Sequence, residues 1–259
     1  MLLESELIPF SVSPPFGEKV LVIAPHPDDE TLGCGGTIRL LVEAEKKVRT
    51  VFLTSGDKAE EAGHARDYSL MREKEAEKAL KVLGVTDYDF FRFPDRELLD
   101  NYEAVYEKIE HAIEAFKPDA VYCPSMTEIN PDHRATAMMM MDMQRSRGSR
   151  GNKPDNIIIV FYEITTPLRP NLLIDITQVF GKKRKAIKKY RSQLRILDYC
   201  HYMSALNMFR SLTVNGPRFT EAFWVMDKSH DEQAVREWLS FGMRMHCSAG
   251  GTSDVCEDG

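Results

Sequence analysis

Short β-branched or aromatic runs alternate with stretches of helical spacing through the first two thirds of the chain. KVLVIAP (19–25), VRTVFLTS (48–55), YDFFRF (88–93), DAVYCPS (119–125) and NIIIVFYEI (156–164) are bounded by Pro, Gly or Asp and read as strands. Between them TIRLLVEAEKK (37–47), YSLMREKEAEKALKVLG (68–84), NYEAVYEKIEHAIEAFK (101–117) and HRATAMMMMDMQRS (133–146) place apolar residues at helical intervals, with Gly84 and Pro118 marking ends. Strands separated by helices of this length need crossover connections. The pattern therefore predicts an α/β fold with a mainly parallel sheet and helices on both faces. Ligands of such folds bind beyond the carboxyl ends of the strands.

After residue 165 the pattern changes to TPLRPNLLIDITQVFGKKRKAIKKYRSQL. It predicts a proline-punctuated link, a short strand and a basic helix over about 176–194, the start of a C-terminal elaboration. RMHCSAGGTSDVCEDG, about 245–259, is small and polar and reads as a fraying tail. With no internal repeat and no long linker composition, residues 1–259 read as a single domain.

Composition narrows the function classes. A chain of 259 residues with 43% apolar content fills one core, and a net charge of −6 gives no general attraction to nucleic acid or anionic lipid. The basic run GKKRKAIKK is read as a solvated helix face, with Ile187 and Leu194 on the buried stripe. No window approaches eighteen apolar residues, and Glu4 and Glu6 stand where a secretory signal needs basic ones, so a cytoplasmic protein without a membrane span is expected. The five cysteines are scattered and form no C-x-x-C pair, which suggests structural thiols.

The chemistry concentrates where the first strand ends, in APHPDDETLGCGG (24–36). His26 and Asp29 sit in a turn opened by Pro25 and Pro27 and can converge on one point. Zinc accepts both donor types, and a catalytic site needs about three protein ligands with a position left open. The loop after the fourth strand opens on the same edge of a parallel sheet and carries Asp132 and His133, so His133 is the natural third ligand. His64, His111, His201, His230 and His246 occupy settings in which a histidine is more often surface or satisfied core. Asp28 is then left beside the metal, placed to take a proton from a water that the metal acidifies. The competing structural reading is that HPDDE caps a helix, with Asp29 or Thr31 as N-cap and Glu30 at the positive end of the dipole. GCGG is not a dinucleotide fingerprint; small residues there let the first helix approach the turn closely. No P-loop and no G-x-S-x-G occurs.

APHPDDETLGCGGTI resembles the signature of the LmbE/PIG-L family of zinc-dependent N-acetylglucosaminyl deacetylases. Further similarities follow in order: REKEAEKALKVLGV (72–85), NPDHRAT (130–136), FYEITTPLRPNLLIDIT (161–177), KAIKKYRSQL (185–194) and RFTEAFWV (218–225), covering about 19–226. The resemblance implies a Rossmann-like sheet, a Zn2+ cofactor with Fe2+ as the alternative ion, metal ligation by His26, Asp29 and His133, and Asp28 as general base. It counts Asp132 among the catalytic residues and places Arg72 and Glu163 toward the substrate. Arg72 has a competing reading as a helix-surface ion pair with Glu73 or Glu75; Ser192, Gln193 and Glu221 could equally satisfy backbone in the C-terminal layer.

One position departs from the family pattern. Where deacetylases of this family carry His-Pro-Asp-His, the chain has Asn130-Pro131-Asp132-His133. An amide can donate to a developing oxyanion, worth about 3 kcal/mol, but cannot deliver a proton. That task then falls to protonated Asp28, to His201 or to a tyrosine, or else turnover is slow. The expected activity is removal of acetyl from an N-acetylglucosamine-type sugar conjugate. The alternatives are an amidase acting on another sugar or thiol conjugate and a metal-retaining carbohydrate-binding protein. The expected partner is a small sugar conjugate rather than nucleic acid, and a homo-oligomer is compatible with the sequence.

Overall fold

Seven strands form one sheet in the order β3-β2-β1-β4-β5-β7-β6, seen in a computed structural model that describes residues 9–57, 65–149 and 157–226. In chain order the elements are β1 (Lys19–Ala24), α1 (Asp29–Glu43), β2 (Lys47–Thr54), α2 (Ala65–Leu83), β3 (Asp87–Phe93), α3 (Tyr102–Phe116), β4 (Ala120–Pro124) and α4 (Pro131–Ser149). They continue with β5 (Ile158–Tyr162), β6 (Leu172–Asp175), α5 (Phe180–Ile187), α6 (Arg191–Leu194), α7 (Tyr199–Phe209) and β7 (Thr220–Met226). Strands β1 to β5 pair in parallel, while β7 runs antiparallel between β5 and β6. Met1–Asp227 forms one compact unit. The tail expected at 245–259, His230 and His246 lie outside the described residues, as does His64.

β1 is the axis of the sheet. Val20 to Ala24 are fully buried because β2 and β4 flank the strand and helices cover both faces. The chain leaves β1 toward β2 and β3 and later returns to β1's other side as β4. That reversal of strand order opens a crevice at the carboxyl ends of β1 and β4, where doubly wound folds bind ligands. Two anchors fix its walls. The Asp119 carboxylate accepts the backbone N–H groups of Glu18 and Lys19, pinning the starts of the two strands. At the other end Thr54 binds the Pro25 carbonyl through both its N–H and its hydroxyl, at 2.9 and 2.8 Å.

Three expectations need correction. The first helix starts at Asp29, inside the motif, and ends at Glu43 rather than spanning 37–47. GCGG hides this by its poor helix propensity: Cys34 leaves helical geometry at φ −135, ψ 22, and two helical segments join across that kink. The glycines serve a close approach, though not chiefly to the turn. A Cβ at Gly33 would overlap the Tyr162 ring, and one at Gly36 would lie 2.6 Å from Cγ2 of Ile176. The basic stretch at 176–194 is broken into α5 and α6 and is not wholly a solvated face. Ile187 is buried as expected, but Lys183 is fully buried too and binds Glu221 at 2.6 Å.

Candidate metal centre

The turn between β1 and α1 presents His26, Asp28 and Asp29, all buried. It is closed by Asp29 N–H donating to the His26 carbonyl and by Thr31 and Leu32 N–H groups donating to the Asp28 carbonyl. Asp28 takes the N-cap position of α1, yet its side chain makes no capping bond. Its backbone sits at φ 143, ψ −26, where a side chain is strained. Neither Asp29 nor Thr31 is therefore the N-cap, although Asp29 and Glu30 do lie in the first turn of α1 as the capping reading expected. Asp29 Oδ2 instead accepts the His26 backbone N–H at 2.8 Å, and Glu30 points away, held by Tyr190 Oη at 2.6 Å.

From the loop after β4, His133 reaches the same point. Nδ1 of His26, Nε2 of His133 and Oδ2 of Asp29 lie 3.0, 3.1 and 3.3 Å from one another. Those are close to the edges of a tetrahedron with metal bonds of about 2.0 Å, which are roughly 3.3 Å. Two ring nitrogens cannot face each other at that distance without a proton or a cation between them. The donor set of two imidazoles and one carboxylate therefore fits a divalent metal.

Supporting groups orient each ligand. His133 Nδ1 lies 3.4 Å from Glu128 Oε2, and Glu128 is itself fixed by the Ile164 and Thr165 N–H groups. His26 Nε2 faces Asp95 at 3.1 Å and Asp132 at 3.3 Å. Asp132 also accepts the N–H groups of Arg96 and Leu98. Both rings thus have a carboxylate behind the nitrogen opposite the ligand position, which sets the tautomer. Glu128→Gln should weaken metal binding by about 10–100-fold with the fold intact, measured by titration against a chelator. Unaltered affinity would remove Glu128 from this role.

The electrostatics favour a cation. Burial opposes charge on His26, but Asp29 and the hydrogen bonds to Asp132, Asp29 and Asp95 outweigh it and lift the ring well above the usual imidazole range. His133, likewise opposed by burial, is raised to about 9 by Asp29 and Glu128. Burial works against the Asp29 carboxylate too, yet the two imidazoles hold it far below the carboxylate range. Asp28 behaves differently. Burial pushes it up to about 7, partly offset by Arg72.

The ligand group opens into a cavity of about 410 Å3. Asn130 lines it, with Oδ1 accepting Asp132 N–H at 2.8 Å. Arg72 also lines it, but as neither of the surface pairs foreseen. It is buried, donates to the Gly56 and Pro27 carbonyls at 2.8 and 2.6 Å, and pairs with Asp28 at 3.2 Å. Glu73 binds Arg92 instead, and Glu75 binds Ser192. Glu163 is not brought to the cavity. Its carboxylate is taken by Arg210 and the Leu168 N–H, bracing the chain beyond β5. Asp132 stands behind His26 rather than on the cavity wall. Gln193 lines the cavity, whereas Glu221 satisfies the Gly36 and Thr37 N–H groups. His201 and His111 are exposed and do not line it; Tyr199 does. The loop after β4 contributes Asn130, while residues 58–64 and 150–156 lie outside the described residues.

Sequence reading did not single out Glu128, Asp95, Arg96 or Tyr199. Glu128 had a signal, being the acidic residue five positions before His133 in the same loop. Asp95 had a weaker one, a Pro-Asp just past the third strand on the site's edge.

A parallel sheet with two histidines and a carboxylate gathered at its strand-order reversal defines a Rossmann-like metal-site protein. The chain belongs to the LmbE/PIG-L family. The PIG-L model, described as GlcNAc-PI de-N-acetylase, matches residues 21–144. Diacetylchitobiose deacetylase of Thermococcus kodakarensis is 31% identical over 202 residues, 71% of this chain and 74% of that one. A probable N-acetyl-alpha-D-glucosaminyl L-malate deacetylase of Bacillus cereus is 29% identical over 187 residues, 67% of this chain and 83% of its own. The structure of N,N'-diacetylchitobiose deacetylase from Pyrococcus horikoshii superposes with a TM-score of 0.72 at 28% identity, covering 86% of this chain and 90% of that one. Among the described residues no helix is long and apolar enough to cross a membrane.

Proposed function

We propose that the protein is a zinc-dependent hydrolase that removes the acetyl group from an N-acetylglucosamine-type sugar conjugate. The observation that carries this is Asp28, a buried carboxylate beside three convergent metal donors that caps nothing and sits in strained backbone. Pairing with Arg72 gives that carboxylate a counter-ion but does not account for its place in strained backbone beside the donors, which proton transfer does. Diacetylchitobiose and N-acetylglucosaminyl malate deacetylases among the relatives support the substrate class.

His26, Asp29 and His133 would hold the ion. When bound, the metal supplies Lewis acidity, which acidifies water and polarises an amide carbonyl. Asp28, held by Arg72, takes the proton from the attacking water. Asn130 has its Oδ1 tied to Asp132 N–H, leaving the amide NH2 to donate to the tetrahedral oxyanion. As the C–N bond breaks, Asp28 returns the proton to the leaving amine; acetate and the free amino sugar are the products. Asp132 acts through His26 as a positioning residue, and Arg72 acts through Asp28.

The test is a panel of free, lipid-linked, thiol-linked and nucleotide-linked N-acetylhexosamines, read by acetate release. Zinc-loaded protein should release acetate and free amine in equal amounts from at least one member, and chelation should stop it. Silence across the panel with both zinc and iron loaded would sink the reading.

A further inference from the structure

Two arginines in opposite situations line the cavity. Arg72 is committed to two backbone carbonyls and to Asp28. Arg96 stands exposed at the mouth, and its guanidinium makes no hydrogen bond or ion pair with a described residue. Its backbone, by contrast, is held firmly. Arg96 lies in the left-handed region at φ 63, and its N–H donates to Asp132 Oδ2 at 2.7 Å. Asp132 is also the carboxylate behind His26, so one group ties the arginine's backbone to a metal ligand.

Glycine would occupy that backbone without strain. Placing a long cation there costs stability, and strain held beside a binding cavity points to use of the side chain. The other wall groups leave the part open. Inside, Asp28, Asp29 and Asp95 face Arg72, His26 and His133, and Asn130, Gln193, Tyr199 and Ile196 are neutral. The mouth thus carries a positive charge that nothing described on the wall neutralises.

We propose that Arg96 is a specificity-determining residue that receives an anionic group, a carboxylate or a phosphate, on the portion of the conjugate lying outside the acetamide pocket. This rests on the deacetylase reading and sharpens its substrate to an N-acetyl sugar with an anionic aglycone. The planar fork of arginine suits both anions, which it can grip with two parallel hydrogen bonds.

The experiment compares N-acetylglucosaminyl L-malate, N-acetylglucosamine 1-phosphate and neutral diacetylchitobiose on zinc-loaded protein. At low salt the wild type should favour at least one anionic substrate in kcat/KM by on the order of tenfold. The better of the two identifies carboxylate or phosphate as the preferred group. Arg96→Ala should bring the anionic-to-neutral ratio toward one, mainly through KM, Arg96→Lys should restore part of it, and Arg96→Glu should invert it. Added salt should narrow the wild-type margin. A ratio equal in wild type and Arg96→Ala, or a wild type that prefers the neutral sugar, overturns the proposal. Calorimetric binding of the three corresponding free amines separates the two readings. Tighter anion binding that Arg96→Ala abolishes upholds anion recognition even with no acetate released, in which case the deacetylase reading alone fails. Binding of all three that is unaffected by Arg96→Ala overturns anion recognition whatever the turnover.

Discussion

Asp28→Asn should lower acetate release by about a thousandfold while the protein still holds about one metal ion per chain, since general acid–base groups contribute roughly 10²–10⁴. The substitution is nearly isosteric, and asparagine meets at φ 143 the same steric demands as the aspartate it replaces, so the turn should keep its shape. Arg72 would lose its anion but keep the Gly56 and Pro27 carbonyls, which leaves it in place. The three metal donors belong to other residues. The change therefore removes the proton acceptor and little else. Metal analysis alongside kcat decides the matter: near-normal turnover with metal retained would move the base elsewhere, and joint loss of metal and activity would make Asp28 part of the binding site.

The second large effect concerns the fold. Lys183→Met should destabilise the protein by about 3–5 kcal/mol, the usual cost of leaving one member of a buried ion pair behind. Lys183 and Glu221 are both fully shielded, and Glu221 joins three elements. It accepts the Gly36 N–H at 2.8 Å, the Thr37 N–H at 2.7 Å and the Thr37 hydroxyl at 2.6 Å from α1, and Lys183 Nζ at 2.6 Å from α5, while standing on β7 itself. Methionine fills the volume of the lysine stem but leaves a carboxylate without its cation. Native domains are stable by only about 5–15 kcal/mol, so the loss should appear as a large fall in the urea midpoint. Lys183→Met combined with Glu221→Gln should recover part of it. A single variant as stable as the wild type would mean that the three α1 donors alone suffice for Glu221.

The central strands β1, β4 and β5 were legible because each is an apolar run, the mark of burial on two faces, and the spacing of the strands left room only for crossovers. The converging trio was legible because His26 and Asp29 lie two and five residues past the end of β1, and His133 follows β4, nine residues past its end, on the same edge of the sheet. Three features were not. Polar partners such as Glu128 and Asp95 have no spacing of their own; they matter through a tertiary contact 3.1 to 3.4 Å long with a ring nitrogen. Lys183 reads as solvent-facing in a run of lysines, and its burial depends on Glu221, 38 positions away. Glu163 was misplaced for the reverse reason. It closes a buried strand toward the site, but Arg210 from the end of α7 claims its carboxylate first.

The two halves of the metal group hang from β1 and β4, which are direct neighbours in the sheet. Their separation is set by the inter-strand spacing of about 4.8 Å, a dimension that no surface loop can alter. Of the segments that complete the cavity wall, 95–96 and 164–165 are tied to the two imidazoles through Asp95, Asp132 and Glu128, whereas 193–199 carries none of those ties. Grafting a relative's segment over 193–199 would reshape the wall without retuning the chemistry.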